Sequence, residues 1–340
     1  PGAMVIFALA TLYVSFGDLP VMDTLFLGIK AAVLIIVLEA LLKVSRRALI
    51  ETAHWLIAGL AFIGIFFFSV PFPVIVLAAG LYGAVFAAPV IDTSPVDRPE
   101  IETSLSRTAL IVFCGLAIWL VPILVLYTVT DGGLLGTLGV FFSKLAVVTF
   151  GGAYAVLAYM VQQVVADYGW LTTGQMMDAL GLAETTPGPL ILVTEFVGFL
   201  AGAQQGGTAL GVMAAIVTLW VTFVPSFLWI FVGAPYIEWI SAQPRLTGAL
   251  NAITAAVVGV ILNLSLWFAL NVLFGEVVRV PFGPVAVWTP TIGSLDLGSV
   301  VLACLAGALL LWRKMDLLLV LPILAIAGLA WQMGFLPLFG

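Results

Sequence analysis

Charge is what this chain lacks. Only 8% of its 340 residues are Asp, Glu, Lys or Arg, whereas a water-soluble domain carries about 25%. So little polar side chain cannot coat a globule of this length in water. Histidine is nearly absent: His54 stands alone, at the start of a helical run just after Glu51, and reads as an interfacial cap rather than a metal ligand. The two cysteines, Cys114 and Cys304, lie inside apolar runs and read as buried free thiols, which leaves neither a disulfide nor a thiolate metal site. The chain contains no GxxxxGK[ST] loop, HExxH pair or GxSxG elbow. ATP-driven pumping and zinc proteolysis are therefore unsupported, and neither catalytic residues, a metal nor a cofactor is expected. A membrane-embedded enzyme would need a nucleophile–base pair or metal cluster that the sequence does not offer. The net charge of −6 is spread over loops and suggests no nucleic-acid partner.

What fills the chain instead is apolar. It is 63% hydrophobic, with a mean hydropathy of +1.26. Runs near the ~20 residues needed to cross hydrocarbon recur along it. They fall near 1–16, 24–43, 54–69, 72–90, 107–127, 137–150 with 153–168, 190–203, 207–235, 248–273, 298–312 and 317–336. The pattern predicts an all-α polytopic membrane protein, since a β-barrel would show short alternating segments. Residues 91–106, IDTSPVDRPEIETSLS, form a polar, acidic linker. Residues 274–297 make a second long connection in which Pro281, Pro284 and Pro290 argue against a helix.

An internal repeat organises these runs. Adding 224 to the first 39 residue numbers matches Pro1 with Pro225, Ile6 with Ile230, Phe7 with Phe231, Ala10 with Ala234 and Pro20 with Pro244. Ile29, Ala31, Ala32, Val33 and Leu38 meet Ile253, Ala255, Ala256, Val257 and Leu262, and Glu39 meets Asn263. Two apolar helices follow each copy. Residues 1–90 thus read as the trailing part of a first repeat, 91–106 as a cytoplasmic linker, 107–136 as a connecting helix and loop, and 137–340 as a complete second repeat. The expectation is a two-repeat protein truncated at its N-terminus. Lys43, Arg46 and Arg47 mark one loop as cytoplasmic. For Arg313 and Lys314 to lie on the same side, the repeats must run inverted. Inverted repeats with broken, re-entrant helices are the architecture of secondary transporters.

Two places in the second repeat break helices at membrane depth. In TFGGAYA, Gly151 and Gly152 interrupt a run from Leu138 to Val165; in ETTPGPL, Pro187 and Pro189 disfavour helix before them. A helix restarting at Pro189 or Leu190, capped by Thr185 or Thr186, would expose unpaired amides and a positive dipole end. In hydrocarbon those donors must be satisfied, and an anion can satisfy them. Two such ends would suit a tetrahedral oxyanion held by Thr149, Phe150, Gly151, Gly152, Ala153 and Tyr154 from one break. The other break would contribute Glu184, Thr185, Thr186, Pro187, Gly188 and Pro189. Lys144, one to two turns before Gly151, either attracts the anion or pairs with Glu184 or Glu195. Glu184 and Glu195 could instead carry protons. Lys30, Glu39, Glu195 and Asn263 are read as a polar seam or coupling path. Between the breaks, Thr172 or Thr173 can cap a short amphipathic surface helix with Met176, Met177 and Leu180 on one face, and Tyr168 and Trp170 suit an interface.

The segments FSKLAVVTFGGAYAVLAYMVQQVV and DYGWLTTGQMMDALGLAETTPGPLI together resemble the chromate ion transporter family. The resemblance rests on an FGG element, a GWLT-type segment and a PGP element in that order. It covers about 137–336 as one module and 1–90 as the trailing part of another. It implies a bacterial inner-membrane carrier that exports chromate, with sulfate as a related or competing ligand and a role in chromate resistance. Its motifs fall on Phe150, Gly151, Gly152, Trp170, Leu171, Pro187, Gly188 and Pro189. The first FGG and PGP pair is missing, which leaves a site shared by two repeats half built. Proton or counter-anion coupling, the lipid bilayer and a second copy of the chain are the remaining expected partners. Transport of sulfate or another oxyanion, or an anion channel on the same scaffold, is the alternative.

Overall fold

The structure, a computed structural model, describes residues 1–17, 19–86, 104–149, 153–186, 188–241, 243–283 and 285–335. The expected linker lies almost wholly outside them. Within them the chain is all-α apart from one β-hairpin. Its helices are α1 (Gly2–Phe16), α2 (Pro20–Ala48), α3 (Thr52–Phe68), α4 (Phe72–Phe86), α5 (Leu105–Val129), α6 (Leu134–Val148) and α7 (Ala153–Val161). They continue with α8 (Thr173–Thr185), α9 (Val193–Gly233), α10 (Ile237–Ser241), α11 (Pro244–Leu273), α12 (Leu297–Gly307) and α13 (Leu317–Phe335). A π-helical turn, Gln162–Asp167, extends α7, and another, Ala308–Trp312, extends α12. Pro20 and Pro244, 224 residues apart, each open a helix at the first position, where the missing N–H costs nothing.

Four stretches of the described residues are long and apolar enough to cross a membrane: 24–48, 105–129, 190–236 and 244–273. The third of these folds back on itself. Gly206 and Gly207 leave helical geometry inside α9, with Gly207 at φ 75°, ψ −177°. On either side Thr194 meets Thr222, Gly198 packs on Thr218 and Ala214, and Gly202 packs on Leu210 and Gly211. Those pairs converge on the glycines, so 193–205 and 208–233 form two antiparallel arms. The conformation at Gly207 is open essentially to glycine alone, and Gly207→Ala is expected to destabilise the fold by about 1–3 kcal/mol, read as a lower unfolding temperature in detergent.

The helices related by the 224-residue offset pack reciprocally. α2 lies against α12 and α13, and α11 lies against α3 and α4. The match reaches single residues. A Cβ on Gly328 of α13 would meet the carbonyl oxygen of Thr24 at 2.7 Å, and one on Gly83 of α4 would collide with the carbonyl oxygen of Gly248. Thr24 and Gly248 are themselves 224 residues apart. Such backbone approach through small residues is how helices associate where no hydrophobic effect drives them together.

Three expectations are corrected. α8 is not a surface helix. Residues 176–183 are all buried, Gly181 lies so close to Ile29 of α2 that a Cβ would meet it at 2.7 Å, and Asp178 reaches Lys30. Its N-terminus does carry the expected cap: Thr172 accepts from the Gln175 amide, while Gln175 accepts from the Thr172 amide. Trp170 is likewise buried rather than interfacial, stacked on Tyr168 at 4.2 Å and edge-on to Phe141 at 5.6 Å. Cys114 and Cys304 are free but exposed on the outer faces of α5 and α12, because an apolar run in a membrane protein can face lipid rather than a protein core. Residues 277–290 add a two-stranded antiparallel hairpin, β1 (Val277–Phe282) and β2 (Val285–Pro290), within the connection after α11. His54 lies in the first turn of α3 and is buried.

Candidate functional site

The described helices stop on either side of both expected breaks. α6 stops at Val148 and helix resumes at Ala153; α8 stops at Thr185 and helix resumes with the short turn Leu190–Leu192 that leads into α9. Phe150, Gly151, Gly152, Pro187 and the side chain of Thr185 lie outside the described residues. α6 and α7 run back along each other, since the rings of Phe141 and Tyr159, nine residues to either side of Phe150, are 6.2 Å apart.

The two breaks open on one cavity of about 230 Å³. Thr149 and Ala153 line it from the first break and Pro189, Leu190 and Ile191 from the second, with Thr222 and Ser226 of α9 closing the far wall. The first amides of a helix have no intrahelical acceptor; those of Leu190 and Ile191 belong to residues that border this space. None of the lining residues is charged, so any binding here comes from amide and hydroxyl dipoles. Gly188 adopts φ 153°, which disfavours any other residue where the chain turns between α8 and α9.

Hydrogen bonding at the breaks differs from the expected caps. Thr186 is buried and donates to the Leu182 carbonyl, which closes α8 rather than opening the next helix. Pro189 stands at that helix start without a side-chain cap. Thr149 donates back to Leu145 at 2.6 Å. Glu184 and Glu39 of α2 both lie near enough to Tyr154 to act electrostatically on its hydroxyl. These three groups are therefore brought together.

The remaining candidates are dispersed. Lys144 is exposed on α6, with neither Glu184 nor Glu195 in ion-pair contact among the described residues. Lys30 pairs instead with Asp178 at 2.9 Å, and Asp178 also accepts from the Tyr13 hydroxyl at 2.8 Å. Glu195 is 1% exposed, and its Oε2 has no hydrogen-bond partner. Asn263 lines a different cavity, beneath the hairpin. Sequence reasoning missed Asp178, Thr222 and Ser226. The last two had a signal: Thr218, Thr222 and Ser226 recur every fourth residue, one face of a helix. Pro225 beside them removes an amide and frees the Val221 carbonyl within α9.

Comparison with known proteins agrees with this architecture. The chromate transporter family model matches residues 1–84 and 136–330. A chromate transport protein of Pseudomonas aeruginosa is 30% identical over 267 residues, covering 77% of this chain and 59% of that protein. A probable chromate transport protein of Synechococcus elongatus (strain ATCC 33912 / PCC 7942 / FACHB-805) is 26% identical, covering 77% and 61%. A chromate transport protein of Cupriavidus metallidurans (strain ATCC 43123 / DSM 2839 / NBRC 102507 / CH34) is 27% identical, covering 77% and 60%. The chain therefore spans about three fifths of the length of these curated relatives. No solved structure matches it. With a family model covering most of its length and apolar helices long enough to span a bilayer, this chain belongs to the chromate transporter family and is an integral protein of the bacterial plasma membrane.

Proposed function

We propose that this chain forms the translocation core of a secondary transporter for a tetrahedral divalent oxyanion, chromate in the first place, moved out of the cytoplasm. One observation carries the reading: both interrupted helices end on a single cavity whose walls supply amide ends and hydroxyls, but no carboxylate to repel an anion. A helix start offers such a ligand about half a unit of positive charge and free N–H donors. In this reading the segments flanking Phe150–Gly152 and Pro187 enter the membrane and return on the same side. Their exposed backbone is tolerated because it borders a cavity within the protein rather than lipid.

The repeats, 1–90 and 137–340, are read as inverted. The reciprocal packing of α2 on α13 and of α11 on α4 supports this, as does the Gly328–Thr24 contact that repeats as Gly83–Gly248. Glu195, buried and without a partner for Oε2, is the group this reading assigns to coupling, with Glu39, Tyr154 and Glu184 as the polar path beside the site. Lys144, exposed on α6 near the first break, supplies positive charge that attracts the anion.

Chromate uptake into everted vesicles carrying the chain tests the reading. Gly188→Val and Thr222→Val are each expected to lower the saturable, sulfate-competed uptake at least tenfold, with normal amounts of folded protein in the membrane. Wild-type uptake by both variants sinks the site. Flux that follows voltage without saturating would replace a carrier with a channel.

A further inference from the structure

A second cavity, of about 120 Å³, lies under the β-hairpin, well above the ~15 Å³ that holds one water. It is separate from the break cavity and shares no lining residue with it. Its walls come from α3, the π-helical turn after α7, α11 and the hairpin. The groups that matter are Gln162, Thr173, Asn263, Asn271, Arg279 and Trp288. Arg279 and Trp288 are direct partners across the hairpin, and the guanidinium lies over the indole, 5.4 Å from its centroid. One terminal nitrogen donates to the Ser69 hydroxyl at the α3–α4 turn.

The electrostatics of this arrangement are unbalanced. The Nε of Arg279 is buried and has no hydrogen-bond partner. No carboxylate pairs with the guanidinium among the described residues, and none lines the cavity. A guanidinium carries five N–H donors and no acceptor. Holding this half-buried guanidinium beside a cavity with amides and a hydroxyl, but without a counter-charge, leaves donors that an anion can satisfy. The π-helical turn that contributes Gln162 is a local distortion of the kind that recurs at functional sites. The 224-residue offset matches Asn263 with Glu39, so the equivalent place in the other copy holds an acid that repels anions. The cavity borders Ile65 near the end of α3, whereas α3 begins at Thr52, just after Arg46 and Arg47 close α2.

We infer that the cavity under the hairpin is a second binding site for a tetrahedral divalent oxyanion, with Arg279 as its charged ligand and the side-chain amides of Gln162, Asn263 and Asn271 around it. It serves as a vestibule on the side opposite Arg46 and Arg47. The inference deepens the transport reading and rests on it for the identity of the anion.

Sulfate titration calorimetry on the 340-residue chain, purified in a phosphate-free detergent, tests it without contribution from lipid headgroups. The titration is run in the Gly188→Val background, so that the break cavity does not contribute. Sulfate binding is expected to persist in that background. Adding Arg279→Gln is expected to weaken it at least tenfold, and adding Asn263→Ala several-fold. Ser69→Ala, which removes the bond to the α3–α4 turn but keeps the charge, should change it less than threefold. Unaltered binding after Arg279→Gln overturns the inference. So does a loss with Ser69→Ala as large as with Arg279→Gln, since Arg279 would then only staple the hairpin down. If Arg279→Gln fails to fold, Asn263→Ala decides, and no weakening there overturns the inference. Complete loss of binding in Gly188→Val alone also overturns it. Normal transport by Gly188→Val and Thr222→Val would sink the break-cavity reading and leave this result standing.

Discussion

Replacing Lys30 with methionine is expected to destabilise the folded chain by about 3–5 kcal/mol, the cost of stranding one member of a buried ion pair. Lys30 and Asp178 are 20% and 10% exposed and 2.9 Å apart. They join α2 to α8 roughly 15 Å along α2 from Pro20, a distance set by the ~1.5 Å rise per residue, inside the apolar stretch 24–48. Without the ammonium, the carboxylate loses its 2.9 Å ion-pair partner while keeping the bond from the Tyr13 hydroxyl. The double variant Lys30→Met/Asp178→Asn removes both charges and keeps an acceptor for Tyr13, so it should recover most of the loss. Graded denaturant unfolding in micelles reads both. A Lys30→Met protein as stable as wild type, or a double variant no better than the single, would show that the pair is not carrying its charges in the folded state.

Gly259→Leu should come next in size. A Cβ on Gly259 of α11 would collide with the Ala58 carbonyl oxygen and lie 2.8 Å from the Phe62 amide nitrogen of α3. Neither is a flexible side chain that can move aside, so the two helices must part. Even Gly259→Ala is expected to cost about 1–3 kcal/mol by overpacking, and Gly259→Leu more, seen as a loss of folded protein after extraction. Gly59, in the same helix α3, faces open space. Gly59→Ala should be neutral or stabilising by up to about 1 kcal/mol. Equal stability of Gly259→Ala and Gly59→Ala would refute the close approach.

The helix breaks were legible because glycine and proline punctuate backbone whatever surrounds them. The gap after Val148, the restart at Leu190 and the reversal at Gly206–Gly207 all follow from residues whose chemistry is local. The depth of α8 was not legible. Its Thr172 cap, its methionines and Asp178 suit a helix lying on a surface as well as one inserted between others, and only the distant Lys30 decides. The hairpin escaped for a related reason. Pro281 and Pro290 argued against helix and hid the alternation in VVRVPF and VAVWTP, yet a two-stranded ribbon consists of edges, where proline is tolerated. The Thr186 hydroxyl was expected to cap the next helix and the Thr149 hydroxyl to face the anion, but sequence cannot say that each turns back on its own helix. Arg279 drew no notice because what makes it unusual, a buried nitrogen with nothing to bind, exists only once the hairpin is folded over α3.

The lengths of α6 and α8 bear on how the chain is made. Their 15 and 13 residues rise about 22 and 20 Å, short of the ~30 Å of hydrocarbon. A nascent segment that cannot cross by itself gains little by leaving the insertion channel alone. The long helices can partition first and associate afterwards. α8 is buried against α2, made before it, and α7 packs against α11, made after it. The break cavity is walled once α9 is made, but α7 lacks one of its packing partners until synthesis has passed α11. α7 is stowed only after the chain has run on through α8, α9 and α10, and a ribosome stalled before Pro244 would leave that face open to lipid and to quality-control proteases.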